Sequence, residues 1–205
     1  MSVVIKPGRQ RPGRTQHGVT LLEVLITIVI LSFGLLGVAG LQARMQLAEM
    51  ESYQRAQAIV LLRDMVDRVN ANRRNSMDYD TTSGVTTTPA GTGNSVQDCS
   101  ALTGARFDLC EWSNALLGAA ESTGGGQNVG AMIGARGCIT NTVAAMPRQF
   151  DIAVVWQGIT PTVAPVATTC GKDSYGNDAT RRAIVTRVTI GCLQNDLTTG
   201  LCVTP

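Results

Sequence analysis

The feature that most limits what this chain can become is an apolar run of 18 residues, Val24 to Leu41, in which only Thr27 and Ser32 are polar and nothing is charged. As a helix rising ~1.5 Å per residue, it is about long enough to cross the ~30 Å hydrocarbon core of a bilayer. One acid, Glu23, lies inside the apolar stretch that begins at Val19. A carboxylate there costs on the order of 2.5–3.5 kcal/mol on insertion scales, so an acid kept in such a place points to a function. The plainer reading is a helix-end acid that reaches the headgroups. Ahead of the run, residues 1–18 hold Lys6, Arg9, Arg11 and Arg14 and no acid, which keeps this end on the cytoplasmic side.

A secretory signal is ordinarily cut after its apolar run, at small residues. Here Gly18 precedes the run and separates it from the basic leader. Gly18-Val19-Thr20-Leu21-Leu22-Glu23 resembles the processing site of type IV prepilins and the related pseudopilins. The resemblance implies that a prepilin peptidase cuts between Gly18 and Val19 and that the new amino terminus at Val19 is methylated. It also implies that Glu23 is the acid retained at the fifth mature position. Val19 stands where phenylalanine is commoner in that family.

Charge must be read with the leader set aside. It holds four of the 17 Lys and Arg residues, which leaves 13 bases against 15 acids and a net side-chain charge of about −2. No nucleic-acid partner is expected on that balance. The single histidine, His17, lies in the leader. A processed chain would therefore lack the commonest general base and metal ligand, and neither an enzyme nor a metal or other cofactor is expected. Six cysteines, Cys99, Cys110, Cys138, Cys170, Cys192 and Cys202, all follow the apolar run and contain no Cys-x-x-Cys. An even count on the exported side suggests disulfides, with 15 connectivities open.

Beyond Leu41 the pattern turns amphipathic without a break. Met45, Ala48, Ser52, Ala56, Ile59, Leu62, Val66 and Val69 recur at steps of three and four, one helix face. Glu51 with Arg55, and Asp64 with Arg68, support the solvated side. Met45, Met50 and Met65 read as core packing. No proline interrupts residues 19–74, so one helix of about 55 residues, ~84 Å long, is expected. Gly34, Gly37 and Gly40 each weaken it by up to ~1 kcal/mol. Such residues let helices approach closely in lipid, although glycine is also simply common in membrane helices. The helix is expected to end near residues 72–75, followed by a long polar connection over 76–98.

A second, short helix is expected over 102–117, where Leu102, Ala105, Leu109, Trp112 and Leu116 share a face. Cys99 and Cys110 would flank most of it, too far apart to bridge. A glycine-rich loop follows from Gly118 to Gly130, then strands over 132–140, 150–157 and 182–191. Phe150, Ile152, Val154 and Trp156 mark the inner face of the second. Cys192 and Cys202 enclose nine residues after the last strand and are the expected pair. The order of elements indicates an α+β fold, a long N-terminal helix packed on a small antiparallel sheet. The expected divisions are a leader over 1–18, a transmembrane or filament-core helix over 19–41, an amphipathic helix over 42–75 and a periplasmic head over 76–205.

Beyond the N-terminal motif, the chain resembles the PilV family of minor pilins, the type IV pilus modification proteins. The resemblance rests on Leu61-Leu62-Arg63-Asp64-Met65-Val66-Asp67-Arg68-Val69-Asn70-Ala71-Asn72, the Cys99–Trp112 segment, the Phe150–Gln157 strand running into Gly158, and Arg181-Arg182. It implies a low-abundance subunit that joins other minor pilins in a priming or tip complex with the major pilin. The chain would then begin as an inner-membrane precursor and end in a pilus at the cell surface, where the head could meet a surface ligand. A minor pseudopilin of a type II secretion system is the alternative.

Overall fold

The computed structural model describes residues 18–82, 88–118 and 132–192. Two helices carry most of the helical content, α1 (Leu21–Ala71) and α2 (Ala105–Leu116). Four strands, β1 (Ala90–Gly91), β2 (Arg136–Val143), β3 (Arg148–Gln157) and β4 (Arg181–Ile190), form one antiparallel sheet in the order β1-β2-β3-β4. Short 3-10 turns lie at Arg73–Tyr79 and Asp178–Thr180. The chain divides into two units, one up to Gln46 and a head from Leu47 onward.

In the first unit the described residues are helical from Leu21, and every one is exposed. α1 is the one helix among the described residues long and apolar enough to cross a membrane, judged by length and composition. The absence of proline and the run of leucine, isoleucine and valine account for its continuity through Gly34, Gly37 and Gly40.

In the head, α1 buries a narrow stripe, Gln54, Ala58, Leu62, Met65 and Val69. The sequence pattern placed this face correctly at Leu62 and Val69, left Ile59 and Val66 half-buried, and was wrong at Ser52 and Ala56, which are exposed. Met65 is core, whereas Met45 and Met50 are half exposed, contrary to the core role expected of them. Alanine and serine carry little hydrophobic drive, so spacing alone drew the stripe too far round the helix.

Trp112 is the hub of the core. It is fully buried, and its indole Nε1 donates to the Leu61 carbonyl of α1 at 2.9 Å. Its ring lies directly on β2 at Gly137, where a Cβ would fall 2.2 Å from the Trp112 Cη2. Glycine is needed there for close approach, and any side chain would lift α2 off the sheet. Phe150, Ile152, Val154, Trp156, Val188 and Ile190 complete this layer from β3 and β4.

The other sheet face is also covered, which the alternation in β3 did not announce. Ala153 and Val155, expected on a solvated face, pack with Cys170 and Tyr175 from the β3–β4 connection. Residues 76–82 and 88–98, the described part of the expected polar connection, are likewise more structured than expected. Tyr79 is fully buried, and Thr81 pairs with β2 at Ile139 through its amide, 2.8 Å, and its hydroxyl, 3.0 Å.

Two disulfides join described residues to one another, Cys99–Cys110 and Cys138–Cys170. The first corrects the expectation that Cys99 and Cys110 are too far apart. The helix starts only at Ala105, so Cys110 lies in its second turn. Residues 99–104 fold back through a turn, with the Leu102 amide donating to the Cys99 carbonyl and Gly104 at φ +61°, which brings the two Cα atoms to 5.8 Å. Cys202, and with it the expected Cys192–Cys202 pair, falls outside the described residues.

Candidate functional site at the helix N-terminus

Thr20 starts α1. Its hydroxyl accepts the Glu23 amide at 3.3 Å, and its carbonyl accepts the Glu23 and Val24 amides at 3.0 and 3.2 Å. This satisfies a donor that the first helical turn would otherwise leave unpaired. The Thr-x-x-Glu spacing is that of a capping box, a signal legible in the sequence but overlooked there. Glu23 in the first turn also meets the positive end of the helix dipole. That interaction contributes ~0.3–1 kcal/mol, well short of the roughly 2.5–3.5 kcal/mol cost of an acid in an apolar span. Capping alone does not account for Glu23.

The other polar side chains of the apolar run are satisfied within the helix. Thr27 donates to the Val24 carbonyl at 2.8 Å and Ser32 to the Ile28 carbonyl at 2.7 Å. The Glu23 carboxylate has no hydrogen-bond or ion-pair partner among the described residues. Gly18 and Val19 sit just ahead of this turn, with Val19 well exposed. The structure thus brings Gly18, Val19 and Glu23 within the first turn and its lead-in. Such a turn can receive a cation brought by another molecule. At Gly34, Gly37 and Gly40 a Cβ would meet nothing within 4 Å, so this chain supplies no steric reason for them.

The head treats its charges differently. Arg181 is 2% exposed, yet its guanidinium makes five hydrogen bonds: two to Asp178, at 2.7 and 2.9 Å, and one each to the carbonyls of Pro165, Thr168 and Cys170. Hydrogen bonding from Arg181 holds the Asp178 carboxyl below the usual range. The next residue, Arg182, points to the opposite face and reaches Glu51 of α1 at 3.2 Å, the Thr160 and Ala179 carbonyls and the Thr162 hydroxyl. Near the end of α1, Arg68 bridges Asp64 and Asp108, and Asp108 accepts the Tyr79 hydroxyl. Burial, with that bond second, raises the Tyr79 hydroxyl above its ordinary range. Sequence spacing flagged Asp64 with Arg68 but gave no sign of Asp108 or Tyr79, which lie 40 and 11 residues from Arg68.

Among the described residues no group of three or more His, Cys, Asp or Glu is placed to hold a metal ion. Residues 13–39 match the prokaryotic N-terminal methylation motif, and residues 40–110 match the family model of the Tt1218-like type IV pilins. Comparison with curated proteins and with solved structures finds no match. Over these two adjoining stretches the chain is thus similar to type IV pilins and carries their N-terminal methylation motif, and its long apolar helix followed by a four-stranded antiparallel sheet is consistent with the type IV pilin fold.

Proposed function

We propose that this chain is a minor subunit of the PilV kind, which takes part in priming or tipping a type IV pilus. Its precursor sits in the inner membrane with residues 76–205 in the periplasm. A prepilin peptidase cuts between Gly18 and Val19, the Val19 amine is methylated, and the chain enters the fibre beside other minor pilins and the major pilin. The observation that carries this reading is the unpaired Glu23 carboxylate on an apolar, exposed helix. Cleavage leaves a positive α-amine at Val19 in a poorly solvated place, and Glu23 of one subunit can pair with that amine on its neighbour. The pair relieves both charges and sets the axial register between subunits. Gly34, Gly37 and Gly40 let neighbouring helices come close in that arrangement.

Glu23→Ala tests the reading. Removing one partner of a buried pair costs about 3–5 kcal/mol, roughly a hundredfold or more in an equilibrium. The variant is expected to be cleaved normally, with a mature end at Val19 bearing one extra methyl by mass measurement. It should nevertheless be lost from sheared fibres, and pilus number should fall. Normal incorporation and pilus number would sink the mechanism, and an uncut leader in cells with active peptidase would sink the pilin processing itself.

A further inference from the structure

On the head, α2 and the segment over residues 88–97 enclose a cleft of about 350 Å³, at the small end of the range for small-molecule sites, about 300–1,000 Å³. Its apolar wall includes Pro89, Leu102 and Leu109 beside the Cys99–Cys110 disulfide. The polar groups around it are amides and hydroxyls: Thr88, Asn94, Gln97, Ser113 and Asn114. Some are spent on the fold. Asn114 holds the Gln97 backbone at 2.7 and 3.0 Å, both Asn94 amide bonds go to backbone carbonyls, and Ser113 Oγ accepts the Gly91 amide at 2.9 Å. What is left over is the Asn94 side-chain oxygen, the Ser113 hydrogen, the Gln97 and Thr88 side chains, and one cation. Arg106 lines the cleft, no acid does, and its guanidinium has no partner among the described residues.

Arg68, Arg181, Arg182 and Arg187 each reach a carboxylate, whereas Arg55, Arg63, Arg74 and Arg106 reach none among the described residues, and of these four only Arg106 lines this cleft. Arg106 instead lines a concave surface of amides and hydroxyls against a hydrocarbon wall. A guanidinium recognises a carboxylate through two parallel hydrogen bonds, amides and hydroxyls suit ring hydroxyls, and an apolar wall suits a ring face. We propose that this cleft binds an acidic saccharide, with Arg106 on the carboxylate and the ring over Pro89 and Leu109. The fixed Cys99–Cys110 and Asn114–Gln97 links hold the two sides of the cleft together, so little ordering accompanies binding.

The test is titration of the full chain in detergent micelles with glucuronate, glucose and acetate, followed by calorimetry or by shifts of labelled Arg106 and Gln97. Glucuronate should bind saturably, with glucose and acetate each at least about tenfold weaker, because a charged hydrogen-bonded pair and the ring contacts each contribute about that factor or more. Arg106→Gln, an exposed position, should weaken glucuronate about tenfold or more. Gln97→Trp, which keeps the charge and fills the cleft, should do the same. Unsaturable glucuronate binding, acetate binding as tight as glucuronate, or an undiminished Gln97→Trp would each overturn the proposal. Fibre incorporation of both variants should stay normal, so failure here is distinguishable from failure of the assembly reading.

Discussion

Glu23 and Arg181 are both charged groups, and the chain treats them in opposite ways. Arg181 is fully buried and fully answered: one carboxylate and three carbonyls occupy its five donors. Glu23 is surrounded by leucine and valine in sequence and answered by nothing among the described residues. The rest of each region follows suit. The head buries Trp112, Phe150 and Ile152 against itself, while the helix up to Gln46 leaves every described side chain exposed. One region is written for its own interior and the other for surroundings that the chain does not contain.

Substitutions that hit one region and spare the other would sharpen this contrast or break it. The largest effect should come from Glu23→Ala, which leaves the unfolding midpoint of the head unchanged while fibre incorporation falls about a hundredfold. Trp112→Ala should do the reverse, lowering head stability by about 3–5 kcal/mol in urea unfolding. Its effect on incorporation should appear only where the head no longer folds. A smaller change comes with acid. Arg181 and Arg187 hold the Asp178 and Asp151 carboxyls below their unfolded values. Their contribution is therefore complete above about pH 4 and is lost as pH falls through the lower folded values. A melting series from pH 7 to pH 2 should show that loss, and Asp178→Asn should blunt it. Gln54→Leu is expected to have the smallest effect and the opposite sign. The Gln54 Oε1 is buried without a partner among the described residues, so replacement should stabilise the head by about 1 kcal/mol in the same urea assay.

The sequence made the long helix, α2, β3 and β4 legible because their signals are local. Leu109, Trp112 and Leu116 recur at helical spacing, and Phe150 to Trp156 at strand spacing. Gly18, Val19 and Glu23 stand in a motif only six residues long, inside the stretch that matches the N-terminal methylation motif. What escaped depends on distant parts of the chain meeting. Ala153 and Val155 are buried because Cys170 and Tyr175 return to cover them. Tyr79 is buried because Asp108 waits for its hydroxyl. The Cys99–Cys110 bond was misjudged over a shorter range, since a turn of six residues decides whether the two sulfurs diverge or meet. Arg181-Arg182 was noticed as a pair of letters, but its work, gripping one connection from both faces of the sheet, needs three dimensions to be seen.

That double grip also decides what can change safely. Val163 lies between the Thr160 carbonyl held by Arg182 and the Pro165 carbonyl held by Arg181, and Val166 between the Pro165 and Thr168 carbonyls that Arg181 holds; the two valines are 88% and 99% exposed. Residues there can be swapped or added without loosening the strands, because the mooring points on either side stay put. The tip of this connection is the natural splice point for displaying a foreign peptide on the head.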